Sequence, residues 1–214
     1  VVRRSISSLG WADEVLAMLA ERRGFGAVVV GPGLGRDDAV AASVRRLVVE
    51  TDLPVVVDGD GSWALSWGSE SVATLLGRRR APTVLTPHDG EFTSLHGSAP
   101  GADRVEAARR LASSTGAVVL LKGSTTVVAD PGGRCAIVRS GDDRLATAGS
   151  GDVLAGIIGA AITSGAPAFE GAALAAQVHG AAARRGHRIG LVAGDLPALV
   201  AEVLTESTGA ESSS

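Results

Sequence analysis

The chain has 214 residues, enough for one large domain or two small ones, with an apolar fraction of 45% that can supply a core. Its formal charge of −3 gives no basic footprint for a nucleic-acid partner. Cys135 is the only cysteine, which excludes an internal disulfide and a multi-thiolate metal site and fits a reducing, cytoplasmic setting.

The longest clean apolar run, residues 153–163, is too short to span a bilayer. The opening residues lack a charged start followed by an apolar stretch, so no secretory signal is read there. Tyr is absent and aromatic residues make up 3%, so the core is expected to be packed from Val, Leu, Ile and Ala. The cluster Arg78, Arg79 and Arg80 reads as a solvated helix end, and residues 207–214 as a flexible tail after a single domain over 1–206.

In chain order, the first helical pattern covers residues 12–23, followed by strands at 27–30, 54–57, 83–86 and 117–121. These strands are apolar throughout rather than alternating, which is the pattern of a parallel sheet buried on both faces. Helical stretches separate them at 37–50, 71–79 and 104–114. Such alternation predicts a layered α/β fold with a mainly parallel central sheet flanked by helices. Runs 125–129 and 134–138 flank Asp130-Pro131-Gly132-Gly133, which is turn chemistry for an antiparallel hairpin. Residues 152–163, 168–185 and 195–204 then read as helices. In such sheets ligands bind at the carboxyl ends of the strands, where the Gly-rich and polar loops of this chain fall.

The strongest local signal is Thr147-Ala148-Gly149-Ser150-Gly151-Asp152 running into an apolar helix. Glycines let backbone N–H groups approach an anion, and a helix N-terminus adds partial positive charge. Because the helix is apolar nearly all round, it is expected to be buried, with Asp152 near the interior. There the carboxylate could act as a general base or simply cap the helix, and the two roles are compatible. Lys122 and Gly123, after a buried strand, suit a phosphate, although a lysine at a strand end is as readily a solvated one. Gly31-Pro32-Gly33-Leu34-Gly35 fails the dinucleotide fingerprint because Arg36 stands where its third glycine belongs; the plain alternative is a tight strand-to-helix turn. His88, Asp89 and Glu91 share one loop and make a poor metal cage, whereas Asp58 and Asp60 could hold Mg²⁺ through waters or form a turn. No metal site built by the protein alone is expected, and His179 reads as a packed histidine within an Ala-rich helix.

Five segments together resemble one family: residues 30–37 (VGPGLGRD), 56–60 (VVDGD), 85–92 (LTPHDGEF), 121–128 (LKGSTTVV) and 145–156 (LATAGSGDVLAG). They occur in the order seen in ADP- or ATP-dependent NAD(P)H-hydrate dehydratases of the ribokinase-like superfamily. Gln177 to Gly180 and Gly194-Asp195-Leu196 are similar to that family as well. The resemblance implies a β-hairpin-bearing ribokinase-like fold that dehydrates hydrated NADH or NADPH with ADP or ATP as phosphate donor, assisted by Mg²⁺. It implies that Asp152 is the base on the C6 hydroxyl, and that Gly149, Ser150 and Gly151 form an anion hole through their amides. Lys122, Gly123, Ser124, Thr125, Thr126 and Gly151 would hold the nucleotide, and Gly33, His88 and Asp152 the hydrated dinucleotide. A homo-oligomer, with a tetramer open, is implied too.

Asp89 stands where the family commonly has Pro, and is expected to put a negative charge beside the substrate. Ala148 stands for a common Gly, and Ser150 for an equally familiar Thr. The family's opening βα segment has no counterpart, and the chain begins with Val, so it is read as N-terminally incomplete. The rival readings are a kinase of the same fold acting on a vitamin-type alcohol, and an inactive nucleotide-binding remnant.

Overall fold

The computed structural model describes residues 10–21 and 24–209. A six-stranded sheet runs in the order β1 (Val28–Val30), β2 (Val55–Val57), β3 (Thr83–Leu85), β4 (Val118–Leu121), β5 (Thr126–Ala129) and β6 (Cys135–Val138). The first four strands pair in parallel, and β4–β5 and β5–β6 pair antiparallel, so the turn at residues 130–133 closes the hairpin that its composition predicts. Such sequential parallel order needs a crossover between each pair of neighbours.

Those crossovers carry helices α2 (Asp38–Glu50), α3 (Asp60–Ser66), α4 (Val72–Leu76), α5 (Asp89–His96) and α6 (Arg104–Thr115), with α1 (Trp11–Glu21) before the sheet. After the sheet come α7 (Ser150–Thr163), α8 (Ala168–Arg185) and α9 (Leu196–Gly209). α9 thus carries the chain to residue 209, and residues 210–214 of the expected tail lie outside the described residues. Among the described residues, no helix is long and apolar enough to cross a membrane.

The uniformly apolar strands feed two cores, because successive side chains point to opposite faces of a sheet. Val55, Val57, Leu85, Val119 and Leu121 face α1 to α6, and Val56, Val84, Val118 and Leu120 face α7 and α8. The side chains of α2 show the matching periodicity. Val40, Ala41, Val44, Leu47 and Val48 are buried along one stripe, and Asp37 caps the helix by accepting from the Val40 amide at 2.8 Å.

Two features depart from the sequence reading. Arg79 is not a solvated helix end. Its guanidinium donates to the carbonyls of Val48, Thr51 (3.2 Å) and Leu53 (2.8 Å) and to Thr83 Oγ1 (2.8 Å), and so ties the end of α2 to the entries of β2 and β3. Burial pulls it below its ordinary pKa. The segments 60–66 and 89–96, to which the sequence reading assigns no helix, are the helices α3 and α5.

His179, in contrast, is packed as its Ala-rich setting suggests, with only 5% of its surface exposed. Burial pushes its pKa down to about 4, against a hydrogen bond to the backbone of Ser150.

Arg79→Ala should lower the unfolding free energy by roughly 2–4 kcal/mol, because several carbonyls lose a charged donor at once. Arg79→Lys should recover less than half of that, since a point charge cannot span the same acceptors. Chemical denaturation checks this, and a loss within about 0.5 kcal/mol would return Arg79 to the solvent.

His179 adds a second measurable effect. Unfolded, the ring takes a proton near its ordinary value of 6.5, and folded only near 4, so the unfolded state binds more protons in between. The stability that the neutral buried ring preserves is complete above the upper value. It is lost as pH falls through the lower one, by about 3 kcal/mol in total. His179→Gln, which cannot titrate, should shrink the stability difference between neutral and acid pH by that amount. An unchanged difference would mean that the ring is hydrated.

Candidate functional site

The carboxyl ends of β2, β3 and β4 meet the N-terminus of α7 at one charged cluster. Asp58, one residue past β2 and 2% exposed, accepts from Lys122 Nζ at 2.7 Å and from Thr86 Oγ1 at 2.6 Å. Lys122, one residue past β4, also lies 3.6 Å from Glu91 Oε2. A Cβ built on Gly151 would stand 3.4 Å from both Asp58 Oδ2 and Lys122 Nζ, which places the first turn of α7 directly over the pair.

The backbone at this point is shaped by sequence. Gly149, at φ +85°, takes the left-handed conformation before α7, where a side chain would be strained. The Gly151 and Asp152 amides lie in the first turn and have no acceptor within the helix. The Ser150 amide is turned into the loop, donating to Thr147 O at 3.2 Å, and its hydroxyl donates to Leu145 O at 2.7 Å. Gly31 makes the loop after β1 possible: at φ +127°, its Cβ would fall 1.8 Å from the carbonyl oxygen of Asp58.

Asp152 is exposed, not interior as the apolar run suggested. Leu154, Ala155, Ile158 and Ile162 face the sheet, whereas Asp152, Gly156 and Ala160 share the outward face at four-residue spacing. Its carboxylate forms no hydrogen bond or ion pair among the described residues. It therefore stands in solvent on the first turn of α7.

His88 is the N-cap of α5. Its Nδ1 accepts from the amides of Gly90 (3.0 Å) and Glu91 (3.3 Å), and the Glu91 carboxylate accepts in turn from the His88 amide (2.9 Å). With Nδ1 accepting, the imidazole proton sits on Nε2, which lies 3.3 Å from Glu91 Oε1, while the side chain stays 58% exposed. Gly33 lies in the β1 loop at φ +66° with open space around it. Asp60 fastens that loop, accepting from the Gly35 amide at 3.0 Å and from Arg36 Nε at 2.7 Å.

The negative charge of Asp89 is taken up locally. Arg104 Nη1 lies 2.7 Å from Asp89 Oδ1, and its Nη2 donates to Lys122 O at 2.6 Å. The Lys122–Thr126 segment forms the turn between β4 and β5. Ser124 and Thr126, with Gly123, border a cleft of about 70 Å³ whose other walls are Val138 of β6, the Gly141–Leu145 segment, α7 and α8.

Among the described residues no three His, Cys, Asp or Glu side chains gather as a metal cage. Lys122 pairs with both Asp58 and Glu91 and so stands where a cation would have to sit between them.

Sequence reasoning weighed Asp58 as a Mg²⁺ holder or a turn residue and Glu91 as part of a poor metal cage, and missed their partnership with Lys122, which lies 64 positions from Asp58. The three-residue spacing of His88 and Glu91 was a readable signal, being that of a capping box with histidine in the usual Ser or Thr position.

The NAD(P)H-hydrate dehydratase family model matches residues 8–205. The bifunctional NAD(P)H-hydrate repair enzyme Nnr of Mycobacterium tuberculosis is 55% identical over 145 residues, which cover 68% of this chain and 30% of that protein. The ADP-dependent (S)-NAD(P)H-hydrate dehydratase of Neisseria meningitidis is 42% identical over 187 residues, covering 83% of this chain and 62% of that one. The chain thus spans less than a third of the bifunctional relative. The Bacillus subtilis ADP/ATP-dependent NAD(P)H-hydrate dehydratase, co-crystallised with ATP/Mg²⁺, superimposes with a TM-score of 0.75 at 29% identity, covering 86% of this chain and 65% of that one. With a match that runs through every segment of the cluster described above, the chain belongs to the NAD(P)H-hydrate dehydratase family.

Proposed function

We propose that this chain uses the terminal phosphate of ADP to dehydrate hydrated NADH and NADPH, releasing AMP, orthophosphate and the reduced dinucleotide. The observation that carries the reading is the meeting of Lys122, Asp58 and the first turn of α7 at Gly151, because it sets a cation and backbone donors at one point. Charge that moves through a phosphoryl group in transfer is stabilised by such fixed donors. The named relatives favour ADP, and ATP is the alternative donor.

On this reading Asp152 takes the proton of the C6 hydroxyl. The hydroxyl oxygen bonds to the terminal phosphorus, and the bond from that phosphorus to AMP breaks. The C6–O bond then breaks with its electron pair leaving on phosphate, and loss of the C5 proton restores the double bond. The exposure of Asp152 suits this role, since a base must reach a hydroxyl that arrives with the substrate. Gly149 and Gly151 donate to the transferring phosphoryl group, with the Asp152 amide beside them. Ser150 shapes the turn through its two bonds into the loop.

Lys122, Gly123, Ser124, Thr125 and Thr126 hold the nucleotide, while Gly33, His88 and Asp152 contact the hydrated dinucleotide. His88 meets it as an Nε2 donor already oriented by the capping box. The donor set fits Mg²⁺ bound largely through nucleotide phosphates and water, because Lys122 already takes one oxygen of Asp58. When bound, the ion offsets phosphate charge.

The test mixes the protein with hydrated NADH, Mg²⁺ and ADP or ATP and follows the return of reduced-nicotinamide absorbance. Recovery is expected with ADP, with AMP and phosphate as products, and about 10²–10⁴-fold slower in Asp152→Asn. A phosphorylated product with no return of absorbance would indicate a kinase instead. Binding of nucleotide with no turnover of any kind would leave only a nucleotide-binding role.

A further inference from the structure

His179 is the buried polar group that the reaction above leaves without a task. It lines the 70 Å³ cleft enclosed by the Lys122–Thr126 turn, the segment from Val138 to Leu145, and helices α7 and α8. Its Nε2 has no hydrogen-bond partner and is closed to bulk solvent. Burial holds the ring down to about 4, so at ordinary pH it is neutral and one of its two nitrogens is a bare acceptor. A buried acceptor without a donor is costly, so native structures seldom keep one unless a ligand or ordered water answers it.

The cleft says what kind of ligand. Ser124 and Thr126 from the turn stand at one side, and Leu145, Leu154 and Ala176 give apolar walls suited to a flat ring or a sugar. Asp142, the other titratable group on the cleft, is already paired with Arg144 at 2.6 Å. Ser150 lies in the same turn of α7 as Gly151, so the His179 ring links this cleft to the anion-facing turn.

Resting on the reading of this site as one for an adenine nucleotide, we propose that His179 Nε2 accepts a hydrogen bond from an N–H or O–H of the nucleoside and so helps select the nucleotide. The donor is either the C6 amino group of adenine or a ribose hydroxyl. If it is the amino group, a guanine nucleotide is disfavoured as well, because its C6 oxygen would set lone pair against lone pair.

Calorimetric binding to the whole chain tests this with ADP, purine riboside diphosphate (which lacks the C6 amino group), and the 2′- and 3′-deoxy forms of ADP. Wild type should bind ADP about tenfold more tightly than one of these analogues, and the analogue that loses affinity names the donor. His179→Leu should lower ADP affinity by about tenfold and abolish the discrimination against that analogue, whereas His179→Gln, which can offer an oxygen near the Nε2 position, should restore most of it.

Equal binding of ADP and all analogues by wild type would overturn the proposal. So would a folded His179→Leu that binds ADP as wild type does, or one that keeps the discrimination. Should the leucine variant not fold, wild type and His179→Gln still decide. A wild type that does not bind ADP would overturn the nucleotide site itself. Binding with the expected discrimination but no turnover of hydrated NADH would keep this inference and remove only the dehydratase reading.

Discussion

Lys122 holds the site together by standing between two carboxylates that have little access to water. Asp58 is 2% exposed and Glu91 is 7% exposed, and each would be expensive to keep ionised alone. The lysine reaches both, at 2.7 Å and 3.6 Å, and Thr86 adds a donor to Asp58 at 2.6 Å. These four residues come from the ends of three parallel strands and the start of α5. The contact can form only if β2, β3 and β4 end in register, and the parallel pairing Val57↔Leu85 and Leu85↔Val119 supplies that register. Formally the trio keeps one negative charge, placed beneath a helix terminus whose partial positive charge opposes it.

Upward from that cluster, each layer has a reason to be where it is. The apolar strands bury both faces, so helices must cover both, and the crossover helices take one face while α7 and α8 take the other. Since α7 lies on the second face, its N-terminus arrives over the strand ends from the side opposite α5. The His88–Glu91 box of α5 and the Gly151–Asp152 turn of α7 therefore approach the Lys122 cluster from opposite faces of the sheet.

The strands and long helices were legible because β-branched runs and helical periodicity are local patterns, and the hairpin because Pro131-Gly132-Gly133 has few other uses. The helices α3 and α5 were not. Both open on Asp-Gly (Asp60-Gly61 and Asp89-Gly90), which reads as turn, and α3 is held by bonds from outside its own sequence. Asp60 anchors to Gly35 and Arg36, and α5 begins on a histidine cap, which ranks outside the usual capping residues. Arg79 was misread for a similar reason. Nothing near it in sequence shows that the carbonyls of Val48, Thr51 and Leu53 converge on its guanidinium. The placement of Asp152 failed on different grounds: an apolar helix need not be covered all round when its outward residues are as small as Gly156 and Ala160.

Asp89 shows how a local departure is absorbed. Judged by sequence, its charge falls beside the His88 contact and burdens a site already rich in carboxylates. In the fold, Arg104 reaches back from α6 to Asp89 at 2.7 Å and donates to the Lys122 carbonyl at 2.6 Å. Asp89 and Arg104 together add no net charge, so the balance around Lys122 is what Asp58, Glu91 and Lys122 alone would set. The same pair braces the entry of α5 against the exit of β4, the two segments that present Glu91 and Lys122 to each other. Arg104 also packs under Gly123, where a Cβ would come within 2.7 Å of its guanidinium. Gly123 therefore leaves room for the arginine, and the charge of Asp89 is spent on holding that arginine against the end of β4.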